Sequence, residues 1–235
     1  MVKFRLFQQE MTRRLNELGI KKLKENKIRI PQASKKTLKE LAIVSKEIQK
    51  DGVPKSLVLK KITPNPHLGY GIFLHPEAKP ILKGEAIAPY SGTVFLCPKN
   101  AESDSDYTFS LISEFYLTKK EQLDWDSGRR YHPRRLYSID LDAEKKGNFT
   151  RFINHSERPN VEARMLKIPE NSLQLAPSPF EIIYFAKKII HPGQQLLVCY
   201  EPDDKGYWGT STIKPFPMTP GTFQLNSSCI ITNCL

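Results

Sequence analysis

Two short stretches of this sequence carry residues whose types and spacing suit chemistry. Arg151-Phe152-Ile153-Asn154-His155-Ser156, followed by Pro159-Asn160, sets an amide and an imidazole at the end of an apolar Phe-Ile pair. A half-buried turn of that kind presents hydrogen-bond donors and acceptors side by side, which suits an adenine-type edge, although a lone Asn-His turn is more often structural. Further along, Pro192-Gly193-Gln194-Gln195-Leu196-Leu197-Val198-Cys199-Tyr200-Glu201 ends an apolar run on a tyrosine. A tyrosine at such a place ordinarily tucks its ring into the core and points its hydroxyl at water. Taken together the two stretches say more than either does alone.

Several other chemistries are excluded by missing signatures. GxSxG, GxxxxGK[ST], HExxH and DxDxDG do not occur, which removes the usual serine-nucleophile, phosphate-loop, zinc-protease and calcium-loop readings. Gly69-Tyr70-Gly71 lacks the third glycine of a dinucleotide fingerprint and precedes a strand rather than a helix, so a Rossmann site is excluded as well. The cysteines at 97, 199, 229 and 234 form no CxxC pair, and Cys229 and Cys234 read as small apolar residues of a tail, a local disulfide between them being the alternative. No secretory h-region follows the basic start, because Gln8, Gln9 and Glu10 interrupt it. The expected setting is therefore reducing and intracellular, and the N-x-S/T sequences at Asn148, Asn154 and Asn226 are read as coincidental.

The elements that position these residues follow from composition and periodicity. With 235 residues, 39% hydrophobic and 26% charged, the chain can bury one ordinary core with an extension. Its apolar runs, such as Glu181 to Ile190, are interrupted by Lys187 and Lys188, well short of the roughly 20 residues a bilayer span requires. Net charge is uneven: residues 1 to 61 hold 17 Lys and Arg against 6 Asp and Glu, and the remaining residues hold 19 of each. In that basic quarter Leu6, Phe7, Met11, Leu15 and Leu18 recur at helical spacing, with Arg13, Arg14, Lys21 and Lys22 set mostly around them. A second helix is predicted after Ser34 as N-cap, burying Leu38, Leu41, Ala42 and Ile48 and stopping at Gly52. From Lys55 onward the pattern turns to short strands: Ser56–Ile62, Gly71–His75, Glu85–Tyr90, Thr93–Cys97, Tyr107–Ile112, Tyr137–Leu141, Arg164–Ile168, Ser172–Leu175, Ile182–Lys187 and Gln195–Tyr200. One helical insert interrupts them at Lys119 to Trp125. The fold class is thus α+β, mainly β, with an N-terminal helical extension.

The quoted blocks, in their order and spacing, resemble the SET-domain protein lysine methyltransferases. The blocks are Gly69-Tyr70-Gly71, Lys83-Gly84-Glu85-Ala86-Ile87, Tyr90-Ser91-Gly92, Tyr137-Ser138-Ile139-Asp140, Arg151 to Ser156 with Pro159-Asn160, and Pro192-Gly193 to Tyr200. The likeness covers about residues 56 to 202, and its most specific segment is Arg151 to Ser156. It implies a SET-domain fold of small curved sheets with a knot-like C-terminal segment. Three divisions are expected on that basis: a basic extension at 1–54, the SET domain at 55–202 with an insert at about 113–136, and a C-terminal tail at 203–235. The resemblance further implies S-adenosylmethionine as methyl donor, S-adenosylhomocysteine as its product, and a peptide lysine as acceptor. Carried over residue by residue, Gly69, Tyr70, Gly71, Arg151, Phe152, Asn154 and His155 bind the donor, Tyr200 is the catalytic-centre tyrosine, and Tyr107 stands in the lysine channel.

Departures from the family pattern change some expectations. Glu157 stands where many members have a zinc-binding Cys, and the tail holds only Cys229 and Cys234, so no metal is expected. Tyr207, Trp208, Phe216 and Phe223 are candidates to fold back over the donor or the channel, Trp208 being counted with the donor-binding residues; packing on an outer sheet is the competing reading. Gln194 and Gln195 replace the family's usual acidic residues, and Cys199 its usual Asp. The insert carries Glu114, Glu121, Asp124 and Asp126 and then Arg129, Arg130, Arg134 and Arg135.

A chain without Cys-rich flanks looks most like bacterial stand-alone SET proteins. That likeness implies histone or histone-like substrates, and a bacterial cytoplasm or, after export as an effector, a host nucleus. The alternative, of another class, is a catalytically weak SET-like module that docks chromatin or nucleoid proteins through its basic N-terminus. Residues 1–61 are also a candidate nucleic-acid contact or a dimerising helix pair, against the ordinary reading of a solvated face; no membrane partner is expected. Direct DNA binding there predicts affinity that falls steeply with added salt and disappears when residues 1–61 are deleted, so salt-independent binding dismisses it.

Overall fold

The structure is a computed structural model that describes residues 2–62, 69–99, 105, 107–125, 130–169, 180–200 and 219–223, excepting the side chains of 2–9 and 180. In chain order its elements are α1 (Val2–Glu25), α2 (Lys35–Asp51), β1 (Leu57–Lys61), β2 (Tyr70–Leu74), β3 (Ala86–Pro89), β4 (Thr93–Pro98), β5 (Thr108–Tyr116), α3 (Lys119–Trp125), β6 (Leu136–Asp142), a 3-10 turn (Phe149–Phe152), β7 (Asn154–His155), β8 (Val161–Lys167), β9 (Phe180–Ala186) and β10 (Leu197–Val198). The expected α+β class, mainly β, holds. The strand predicted at Ser172–Leu175 lies outside the described residues. Two compact units are present, one of Met1–Gln32, Ser91–Gly147 and Met165–Glu181, the other of Ala33–Tyr90, Asn148–Arg164 and Ile182–Leu235.

In the first unit β6 runs between β4 and β5, antiparallel to both. Tyr137, Ile139 and Leu141 alternate into the core from β6, as a half-buried strand requires. The longer β5 passes the predicted end at Ile112 because its register shifts twice, between Ser110 and Ile112 and between Ile112 and Phe115. Glu114 sits there with φ at 55°. Such bulges break the period-two pattern on which a sequence reading depends.

Helix α1 packs on β4 and β5, burying Leu15, Leu18 and Leu23. Lys22, grouped by sequence with the solvated lysines, is instead buried. Positions 15, 18 and 22 share one helical face, so Lys22 falls on the apolar stripe. Its side chain is 4% exposed, with Nζ 3.1 Å from Glu121 Oε2 on α3 and 3.0 Å from Glu25 Oε2. The ammonium also lies 5.9 Å from the Phe115 ring centroid. A buried lysine is tolerable only with such partners. Burial works against the Glu121 carboxylate, but hydrogen bonds from Lys21, the Thr118 N–H and Lys22 outweigh it and hold its pKa at about 2.

In the second unit α2 begins and ends at its predicted caps. Ser34 accepts a hydrogen bond from Thr37 N–H, and Gly52, at φ 76°, donates its N–H to the Ile48 carbonyl. The serine cap contributes about 1 kcal/mol. Leu41 is buried, while Leu38, Ala42 and Ile48 are half-buried. The helix lies on β3, where Glu40 Oε2 accepts from Ala86 N–H at 3.1 Å.

A five-stranded sheet orders its strands β3-β9-β8-β10-β7, and a separate hairpin pairs β1 with β2 antiparallel. The predicted strand Gln195–Tyr200 is divided between two partners. Its first residues run beside β2, with Leu74 N–H donating to the Gln194 carbonyl and Leu196 N–H to the Ile72 carbonyl. Leu197 and Val198 then pair in parallel with Asn154 and His155, and Val198 also with Val161. Asn160, 2% exposed, clamps this crossing: its Nδ2 donates to the Gln195 carbonyl at 2.9 Å and its Oδ1 accepts from Leu197 N–H at 2.8 Å.

The Lys22–Glu121 contact yields a test by thermal and acid unfolding. Glu121→Gln removes the less exposed of the two carboxylates on the buried Lys22 ammonium, leaving only Glu25, and should lower stability by about 2 kcal/mol. Because the folded-state pKa is about 2, against an ordinary value of 4.5, the wild-type contribution is present above pH 4.5 and is lost as pH falls toward 2. The variant should show a flatter profile in that window; an unchanged profile refutes the assignment.

Candidate active site

The 3-10 turn from Phe149 to Phe152 aims the motif residues. Asn148 caps it, its Oδ1 accepting from Thr150 N–H at 3.1 Å while its Nδ2 donates to the Pro89 carbonyl at 2.8 Å. From the end of that turn β7 carries Asn154 and His155, both half-buried. Asn154 Nδ2 donates to the Tyr70 carbonyl at 3.1 Å. The Tyr70 ring meets Phe152 edge-on at 5.9 Å, and the Arg151 guanidinium lies 4.8 Å from the Phe152 centroid. Tyr70, Arg151, Phe152 and Asn154, separate in sequence, are therefore brought together.

The two glycines beside Tyr70 serve different needs. Gly69 has φ at 61° with no heavy atom within 4 Å of where a Cβ would stand, so its glycine character answers backbone conformation. For Gly71 the reason is crowding: a Cβ there would stand 2.6 Å from Gln195 Nε2 and 3.1 Å from Ile62 Cδ1.

Tyr200 reaches the same place from β10. Its N–H donates to His155 Nδ1 at 3.1 Å and its hydroxyl to the Ile153 carbonyl at 3.0 Å. The two rings lie 5.3 Å apart. With Nδ1 accepting, the neutral imidazole carries its proton on Nε2. Tyr200 thus completes the cluster, joining Gly69, Tyr70, Gly71, Arg151, Phe152, Asn154 and His155. Tyr107 belongs to the other unit, where its carbonyl accepts from Ala143 N–H at 3.1 Å. Trp208, with Tyr207, Phe216, Cys229 and Cys234, lies outside the described residues. Phe223 is described, and it packs on the cluster of Ile62 and Phe73 beside Val58.

Tyr184 was not singled out by sequence reasoning. It is buried on β9 opposite Ala88 of β3, and its ring lies 5.7 Å from that of Tyr90. Burial pushes its phenol well above the ordinary value of 10, and the neighbouring phenols of Tyr90 and Tyr200 push the same way. In sequence it is one apolar-run aromatic among several; only register reveals that it pairs with Ala88. Asn160 was read as part of a motif without a task, and the clamp on residues 195–197 supplies one. Among the described residues no group of three or more His, Cys, Asp or Glu is placed to hold a metal ion.

Comparison with known proteins identifies the family. The SET domain family model matches residues 69–201, more than half of the chain. Histone-lysine N-methyltransferase MEDEA of Arabidopsis thaliana is 28% identical over 107 residues, 45% of this chain and 14% of that protein. The H3 lysine-9 specific histone-lysine N-methyltransferase SUVH1 of Nicotiana tabacum is 29% identical over 124 residues, 53% of this chain and 16% of that protein. This chain therefore matches only a small part of either relative's length. Among solved structures, the methyltransferase domain of human PR domain-containing protein 2 is matched over 75% of this chain and 95% of its own, at 22% identity and a TM-score of 0.39. The family match covers the glycine hairpin, the Asn-His segment and the Tyr200 strand in one span, and the chain belongs to the SET-domain family.

Proposed function

We propose that this chain is an S-adenosylmethionine-dependent protein-lysine N-methyltransferase acting on Lys-rich, histone-like proteins. The observation that carries the reading is the meeting of three stretches, in which Asn154 bonds to the Tyr70 carbonyl and Tyr200 bonds to His155 and to the Ile153 carbonyl. The donor set fits such a cofactor: aromatic faces on Tyr70 and Phe152, a guanidinium on Arg151, and amide and imidazole groups on Asn154 and His155. These are partners for an adenine ring and an amino-acid end. The names of the matched relatives, histone-lysine N-methyltransferases, support a histone-like acceptor.

When bound, the donor supplies a methyl group activated on a positive sulfonium. The chain's own residues must present an uncharged amine in line with it. A lysine has a pKa near 10.4, so its neutral form near pH 7 costs about 4 kcal/mol. Desolvation disfavours the ammonium and lowers that cost. With the donor held by Tyr70, Arg151, Phe152, Asn154 and His155, methyl transfer to the amine would release a neutral thioether, and the surplus N–H proton would pass to water. Tyr200 orients the amine: its hydroxyl proton is directed at the Ile153 carbonyl, leaving oxygen lone pairs to accept from N–H. Tyr200 thus acts by alignment, which carries much of the barrier reduction in such a displacement.

Incubation with labelled methyl donor and mixed histones tests the proposal. Wild type should transfer label to lysine. Asn154→Ala, which releases the Tyr70 strand, should lower the rate about a hundredfold, the scale of a small misplacement of reacting groups. Tyr200→Phe should slow transfer or change the number of methyl groups added, read by mass spectrometry. Intact donor binding with no transfer to any protein overturns the proposal.

A further inference from the structure

Gln195 is the unexplained residue of this region. It is 0% exposed, yet neither Nε2 nor Oε1 has a hydrogen-bond partner. Because both atoms are orphaned, the conclusion does not depend on which way round the amide is placed. Gln194, Asn154 and Asn160 are engaged with other partners. Gln194 Oε1 accepts from His191 N–H at 2.9 Å, Asn154 Nδ2 donates to the Tyr70 carbonyl, and both ends of the Asn160 amide hold the backbone of residues 195–197. Buried amides are nearly always satisfied, and an exception calls for a specific cause.

The surroundings indicate a place shaped for this side chain. The Gln195 backbone bridges to Phe73 of β2, and Nε2 occupies the space that a Cβ on Gly71 would need, 2.6 Å away. Ile62 and Phe73 form the apolar walls, both buried. A leucine or methionine would fill such walls without leaving a donor and an acceptor unmet. The strand beneath which the amide lies is the one whose Tyr70 carbonyl is held by Asn154, on the proposed donor side of the site.

We propose that Gln195 is the positioning residue of a buried hydrogen-bonding site beneath Gly71, filled by one small oxygen-bearing group, and that this site sets how tightly the glycine strand holds the methyl donor. The group is either an internal water or a polar atom of the donor; both offer the amide an oxygen. The inference rests on the proposed use of S-adenosylmethionine, and the test separates the two.

The experiment is titration calorimetry of the full chain with S-adenosylhomocysteine, alongside thermal melts and crystal structures with and without that ligand. Wild type that fails to bind removes the donor reading itself. Where wild type binds, Gln195→Met, similar in length and unable to donate, should weaken affinity about tenfold while the donor-free melting temperature stays within a few degrees. An oxygen within hydrogen-bond reach of the amide in the donor-free crystal identifies water. A ligand atom there only in the complex identifies the donor. Affinity of Gln195→Met within twofold of wild type, or a dry amide in both crystals, overturns the proposal.

Discussion

The short parallel contact of Leu197 and Val198 with Asn154 and His155 is the constraint on which the rest depends. Two residue pairs make a poor sheet by themselves, so the crossing survives because other groups close around it. Ser156 N–H donates to the Val198 carbonyl and Asn160 N–H to the Leu197 carbonyl, while the Asn160 side chain binds the backbone on either side of Leu196. Without that crossing the Tyr200 hydroxyl has no Ile153 carbonyl to face, and its N–H loses the imidazole. The apolar side chains follow the same logic. Val161, Leu196 and Leu197 are fully buried, so desolvation and backbone pairing favour one geometry.

Much of this was legible in the sequence where a local rule sufficed. The caps of α2 at Ser34 and Gly52, the span of α3 and the positions of most strands follow from turn residues and periodicity. The motif residues around Asn154 were legible too, together with their resemblance to one family. What stayed hidden depends on partners distant in sequence. The run from Gln195 to Tyr200 reads as one strand because nothing local says that Gln194 to Leu196 serve β2 while Leu197 and Val198 serve β7. Tyr184 was hidden for a similar reason, since its neighbours Ala88 and Tyr90 lie distant in sequence. The two bulges in β5 erased the alternation that would have marked its full length.

Lys22 qualifies what the uneven charge of the chain means. Counted along the sequence it is one of many cations in a basic segment. In the fold it faces inward, held by Glu25 on its own helix and Glu121 on α3. Lys21 also meets Glu121, and Arg13 pairs with both Glu10 and Glu17. Part of the positive charge of α1 is therefore neutralised within the first unit, and the helix belongs to a packed core as much as to any surface. On α2 Lys35, Lys36, Lys39, Lys46 and Lys50 are all exposed, and Lys36 Nζ lies 3.5 Å from Glu40 Oε1.

The parallel joining of β7 and β10 also fixes an order of events during synthesis. Asn154 and His155 leave the ribosome well before Leu197 and Val198, so their pairing with β10 must wait for the later segment. Contacts of such long sequence separation form slowly and leave apolar surface open in the meantime. The seating of Tyr200 against His155 and the Ile153 carbonyl is thus an arrangement the nascent chain acquires late.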